Sequence, residues 1–289
     1  MFNIDLKGVD MSAKTSQMLF NSLFIISGFI TILLLLIIVG YILINGIDVI
    51  NFEFIFSHPM ESGKYGGIFP MILSSIYLIV IALLIAVPVG VGSAVYMVEY
   101  NKNHKLEIFI RFLSQVLSAV PSIVFGLFGL AFLVFFLKMG WSIFAGGLIL
   151  ALMSIPTIFQ VSEVSLKTVP EIYKEGCYGM GATKWQCICS IVLPLSIGGI
   201  FTGIVLALTR AFSEAAAVMY LVGSSLEVPT SIFDTGRPLP LHLYVLASEG
   251  ISMENAHGTA FVLIMIVLII TVLSNFIISR YQSNVGVLQ

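Results

Sequence analysis

The chain of 289 residues is 58% hydrophobic and only 10% charged, with a mean hydropathy of +1.08. A soluble domain carries about 25% charged residues because its surface faces water, so this composition excludes an ordinary soluble protein. The formal net charge of -2 gives no reason to expect nucleic acid as a partner.

A short polar lead ends near Gln17, and the apolar run Met18–Ile44 follows it. That run is too long for a signal-peptide core and has no small-residue cleavage site after it, so it reads as an uncleaved first span. Five further runs reach the roughly 20 apolar residues that a hydrocarbon core requires: Ile68–Met97, Ile108–Leu137, Trp141–Val161, Ile191–Val222 and Gly258–Ile278. The fold class expected is therefore an all-α polytopic bundle with six transmembrane helices. Pro88, Pro121 and Pro156 fall inside spans, where kinks require packed neighbours or water to satisfy the freed carbonyls.

Orientation follows from the basic residues. Lys7, Lys14, Lys102, Lys105, Arg111, Lys167, Lys174, Lys184 and Arg280 fall on one side, against Lys64, Lys138 and Arg237 on the other. The positive-inside rule puts the nine, and with them both termini, in the cytoplasm.

The loops are too short for catalytic domains. No Walker-type glycine loop is present, so no nucleotide or other cofactor is expected on this chain. Cys177, Cys187 and Cys189 share one loop, and the four histidines are scattered over loop positions. Neither set has metal-ligand spacing; structural thiols and solvated or capping histidines are expected. Gly199-xxx-Gly203 has the small-residue spacing of close helix packing.

The polar stretch 163–190 holds the most informative pattern. Thr168-Val-Pro-Glu171 has the form of a capping box with proline in the first turn. A short helix to about Met180 follows, with Ile172, Tyr173, Cys177 and Met180 on its apolar edge. Gly179 and Gly181 stop it, a second helix starts at Thr183, and Pro194 marks its junction with the fifth span. Such a helix either rests on the lipid surface or stands out as a lever for a soluble partner.

Within the fifth span, Arg210 lies sixteen residues past Pro194 and Glu214 one turn further on the same expected face. Charges in a span face a bundle interior or a water-filled cavity. The two residues either pair and fix packing, or Arg210 meets an anion while Glu214 orients and tempers the guanidinium.

Glu175, then Gly181, then Ile191-Val192-Leu193-Pro194 keep the spacing of the E-A-A-x3-G-x9-I-x-L-P signature and resemble binding-protein-dependent ABC importer permeases. Gly176 and Cys177 stand where that signature has alanines. The segments GGIFPMILSSIYLIVIALLIAVPVGVGSAVYMVEY, VPSIVFGLFGL and LPLHLYVLASEG extend the resemblance to PstA-type permease subunits of phosphate importers. It implies a MetI-like permease fold in a bacterial or archaeal plasma membrane. Residues 1–65 would be the tail, first span and external loop, and 66–289 the permease domain. The resemblance also implies that Glu175, Gly176, Cys177, Gly181, Ile191, Leu193 and Pro194 couple to an ATPase dimer. That dimer would hydrolyse ATP with Mg, beside a second homologous permease subunit and an external phosphate-binding protein. The family's R-A-x-G-E-T-A-P run corresponds to Arg210-Ala211-Phe212-Ser213-Glu214-Ala215-Ala216-Ala217. The Arg and Glu are kept while Gly, Thr and Pro are replaced, and the resemblance favours Arg210 and Glu214 as substrate-pathway residues. A permease for another oxyanion or solute, or an ATP-independent transporter or channel, are the alternatives.

Overall fold

The computed structural model describes residues 13–285; Lys7 and the extreme ends lie outside the described residues. In chain order the helices are α1 (Ala13–Ile47), α2 (Phe52–Phe56), α3 (Phe69–Val95), α4 (His104–Ala119), α5 (Ser122–Gly129), α6 (Ile143–Lys167), α7 (Glu171–Gly179), α8 (Lys184–Cys187), α9 (Leu193–Phe212), α10 (Leu239–Ser248) and α11 (Met253–Val285). A small hairpin between α2 and α3 pairs β1 (Pro59–Met60) with β2 (Tyr65–Gly66). Single π turns extend α3 to Tyr100 and α5 to Phe136, and another joins α8 to α9.

Among the described residues, five helical segments are long and apolar enough to cross a membrane, and six if one bent pair counts as a span. That pair corrects the expected straight run Ile108–Leu137: α4 and the extended α5 meet at 95°. Proline disfavours helical geometry in the residue before it, and Val120, before Pro121, is extended at φ -68°, ψ 130°. Pro88 and Pro156 stay inside α3 and α6.

The core lies where α3, α6 and α9 meet. A Cβ on Gly90 would come within 2.8 Å of Ile158, and one on Gly147 within 2.6 Å of Ile81, so α3 and α6 touch at backbone distance. Gly203 faces Val161 and Gly199 faces Ser165 in the same way between α9 and α6. The second helix of the bent pair, with its extension, completes this core through Phe125, Leu133 and Val134. Helix α1 stands apart, meeting α11 where Gly46 and Tyr41 approach His257; its residues from Phe20 to Ile38 are exposed, and Val39 and Gly40 after them are half-buried.

At the end of the bundle bearing the hairpin, one buried arginine ties loops together. Arg237 donates through Nε to Ser224 Oγ at 2.8 Å and through a terminal nitrogen to the Ser62 carbonyl at 3.4 Å. Asn255 donates to the carbonyls of Gly63 and Lys64, both at 2.9 Å. His242, expected as a solvated or capping loop residue, is instead 1% exposed within α10. Its ring lies under Gly63, where a Cβ would come within 2.6 Å.

Helix α10 is too short to cross a membrane. Burial, and then the charge of Arg237, push the His242 pKa down to about 3. A histidine depressed in the folded state contributes stability above its unfolded pKa of about 6.5 that is lost as pH falls towards the folded value. Between pH 7 and 5 the loss is about 2 kcal/mol. Thermal unfolding in detergent should therefore show a lower Tm at pH 5, and His242→Leu should flatten that dependence.

Candidate functional site

The segment after α6 folds by local rules, though not all of those expected. Thr168 is the C-cap of α6, its hydroxyl donating to the Ser165 carbonyl at 2.7 Å, so it forms no capping box with Glu171. Pro170 occupies the N-cap of α7 without a side-chain bond; its predecessors are held by the end of the preceding helix. Helix α7 ends at Gly179, with Met180 as C-cap. Gly181 follows at φ +82°, and open space surrounds the place of its missing Cβ. The glycine there serves backbone conformation, since L side chains resist that region. A true capping box starts α8, formed by Thr183 and Gln186.

Helix α7 has two faces. Cys177 is buried with Cys187, Ile188 and Val192 against Ala94, Val95 and Met97 of α3 and its extension. Lys174 reaches Glu99 at 2.8 Å, with their side chains 11% and 4% exposed. Burial works against the Lys174 charge, but Glu99 and then Glu171 outweigh it and hold its pKa above the ordinary lysine value. On the other face Glu175, Gly176, Ile172, Tyr173 and Met180 are exposed. The expected apolar edge is thus split: Cys177 packs inward while its companions point away from the chain. Ile191, Leu193 and Pro194 are half-buried where α9 begins. Pro194 offers no N–H to the Ser190 carbonyl, and the turn just before α9 widens into a π turn.

Beside α7, Arg111 bridges Glu107 at 2.7 Å and Glu163 at 2.6 Å, and Lys167 also pairs with Glu163 at 3.0 Å. Gln160 donates to Ser114 Oγ at 2.9 Å. These bonds lock α4 to the last two turns of α6. The pairings of Glu99 with Lys174 and of Glu163 with Arg111 escape sequence reasoning because the partners lie far along the chain; an acidic residue closing an otherwise apolar run was the available signal.

The fifth span departs most from expectation. Helix α9 ends at Phe212, with Ser213 as C-cap, so Arg210 sits in its last turn and Glu214 beyond it. They do not share a helical face. Among the described residues they form no ion pair within 4.0 Å: Glu214 Oε1 instead accepts the Ala217 N–H at 3.1 Å, capping the turn Val218–Tyr220. Packing is the reason for the break. Ala217, Val218, Leu221 and Val222 are all fully buried, against Gly126 and Gly129 of α5 and Gly146 of α6. Arg210 and Glu214 still line one small crevice with Leu150, Met153 and Ser154. Met153 is ten residues from the start of α6 and fourteen from its end, about 15 and 21 Å along the axis. Arg210 therefore lies near mid-depth, and its side chain is exposed from the chain's own packing. No carboxylate among the described residues pairs with it.

The exposed face of α7 thus lies at one end of the bundle, and Arg210, without a carboxylate partner among the described residues, half-way up it. Residues 86–286 match the model of the binding-protein-dependent transport system inner membrane component. The chain belongs to that family. This permease is 32% identical over 275 residues to the probable ABC transporter permease protein YqgI of Bacillus subtilis, covering 90% of this chain and 94% of the relative. It is 34% identical over 205 residues to the phosphate transport system permease protein PstA of Mycobacterium leprae, covering 70% of this chain and 67% of that one. Its fold is similar to that in the crystal structure of a bacterial alginate ABC transporter in complex with a periplasmic protein. There the TM-score is 0.67 at 15% identity, over 92% of this chain and 96% of the other.

In this permease the Gly181 turn makes a specific demand on the backbone. Gly181→Val should destabilise the α7–α8 connection by about 1–2 kcal/mol, while Gly181→Asn should cost less because asparagine tolerates left-handed geometry. Hydrogen exchange at residues 179–183 should rank the three as glycine slowest, asparagine intermediate and valine fastest.

Proposed function

We propose that this permease forms half of the membrane path of an ATP-driven importer of inorganic phosphate. The observation that carries the reading is Arg210 at mid-depth of an apolar bundle, without a carboxylate partner among the described residues. A charge at that depth faces a bundle interior or water rather than lipid, and a guanidinium presents planar paired donors that match phosphate oxygens. Relatives named as phosphate transport permeases support the same substrate.

The exposed face of α7, carrying Glu175 with Ile172, Tyr173 and Met180, is the grip for a separate ATPase dimer, which binds and hydrolyses ATP with Mg. This face lies in the cytoplasm, in keeping with the basic residues that flank it. A second permease subunit of similar fold closes the path on the side of Arg210, and a phosphate-loaded binding protein docks at the hairpin end. Ile191, Leu193 and Pro194 transmit the grip into α9. Arg210 meets the anion. Glu214 contributes by shaping the turn after α9, beside the arginine rather than clamping it.

With the partner subunits reconstituted in vesicles, ATP hydrolysis should rise with phosphate-loaded binding protein and not with sulfate; stimulation by sulfate instead would point to a permease for another oxyanion. Arg210→Ala should lower phosphate uptake by about tenfold or more with the complex still assembled, and Arg210→Lys should recover only part of it. Uptake by Arg210→Ala at the wild-type rate would remove the pathway role. Glu175→Lys should reduce co-purification of the ATPase, or leave hydrolysis without uptake; an unaltered complex would place the grip elsewhere on the chain.

A further inference from the structure

We propose that the buried ion pair between Lys174 and Glu99 is the strut by which movement of α7 reaches α3, which makes both residues positioning residues for transport. The inference rests on the reading of α7 as the segment a separate ATPase grips.

Helix α7 continues through α8 and a π turn into α9, so displacement of α7 passes to α9 along the backbone. No such covalent route leads to α3, since Lys174 and Glu99 are 75 residues apart in the chain. Among the described residues, α7 is joined to the end of α3 through an apolar patch around Cys177 and an ion pair at 2.8 Å. An apolar patch allows sliding, because its contacts are non-directional and each is weak. An ion pair with both side chains almost out of solvent resists separation, because either partner alone would be a buried, uncompensated charge.

The placement of each residue suits this use. Glu99 lies in the π turn Tyr96–Tyr100 that ends α3, and it is 8% exposed as a whole residue. Such turns commonly occur at functional positions. Lys174 extends towards the bundle, while its neighbours Tyr173 and Glu175 face outward, so one short helix offers a partner face and an anchoring face. Glu171 also approaches Lys174, at 3.5 Å, but its side chain is 76% exposed and lies on α7 itself, so it transmits nothing to α3. Lys184 over the Tyr100 ring, at 5.1 Å from its centroid, adds a weaker tie between α8 and the same end of α3. From there α3 carries displacement to α6, against which Gly90 and Gly147 hold it at backbone distance.

Two measurements test the strut. The first is hydrogen exchange across 171–179 in the full chain in detergent, which is independent of any substrate. Lys174→Gln and Glu99→Gln should each accelerate it, and unchanged exchange in both would overturn the anchoring. The second is the ratio of phosphate moved to ATP hydrolysed in reconstituted complexes. Each single variant should lower that ratio several-fold, and the reversed pair Glu99→Lys with Lys174→Glu should restore it towards wild type. Wild-type ratios in the single variants, or a reversed pair no better than they are, would overturn the proposal. Should the single variants fail to assemble, the neutral pair Glu99→Gln with Lys174→Met keeps similar volume without a buried charge. That pair should assemble yet remain poorly coupled, and full coupling in it would overturn the electrostatic strut. A wild-type complex that hydrolyses ATP without moving phosphate would refute the substrate assignment, while the exchange experiment would still decide the anchoring.

Discussion

Lipid is as apolar as leucine, so a membrane gives helices no hydrophobic reason to associate; they must gain by packing and polar contacts. The bundle meets that constraint chiefly by bringing α3 and α6 to backbone distance at Gly90 and Gly147. Dispersion contacts fall off steeply with separation, and side chains larger than hydrogen at those positions would push the helices apart. Helix α9 is held to α6 in the same manner through Gly199 and Gly203. The three helices consequently behave as one packed unit. Among the described residues helix α1 packs chiefly on α11, and most of its length is exposed.

The charged residues receive three different treatments. Glu99 with Lys174, and Glu163 with Arg111 and Lys167, are paired close to the α7 end. Arg237 is buried and forms no ion pair within 4.0 Å among the described residues, but spends its donors on Ser224 and Ser62. Arg210 has neither kind of partner among the described residues. The first two treatments account for themselves as structure: each ties together segments distant in sequence. The third ties together nothing among the described residues, and a charge so deep in an apolar bundle is costly unless water or another polar group meets it. That contrast separates Arg210 from the other cations more sharply than its position alone.

Local signals made much of the fold legible. Long apolar runs marked the spans, and Gly181 marked the stop of α7, because these features depend on nearby residues alone. Proline shows where such signals end: Pro88 and Pro156 sit within continuous helices, whereas Pro121 stands at a 95° bend. The run Ala215–Ala217 illustrates the same limit. Alanine is the best helix former, so sequence extends α9 through Glu214; the burial of Val218, Leu221 and Val222 against glycines of α5 and α6 breaks it after Phe212. Thr168 looked like the start of a helix and proved to be the end of another. His242 and the Lys174–Glu99 pair were hidden because their surroundings come from remote parts of the chain.

The early end of α9 changes how the arginine's charge is moderated. A carboxylate one turn away on the same helix would have offset the guanidinium with a full opposing charge. Instead Arg210 lies in the last turn of α9, where the helix dipole presents roughly half an elementary negative charge, part of it already engaged by the Ser213 N–H bond to the Arg210 carbonyl. Glu214 meanwhile is occupied with the Ala217 N–H. The guanidinium thus keeps more of its net positive field than a tight ion pair would leave, yet less than an isolated charge in a dry interior. Under the proposed pathway role, conduction requires binding strong enough for entry and weak enough for release, and a partial, fixed dipole would serve that compromise without needing to dissociate each time an anion arrived.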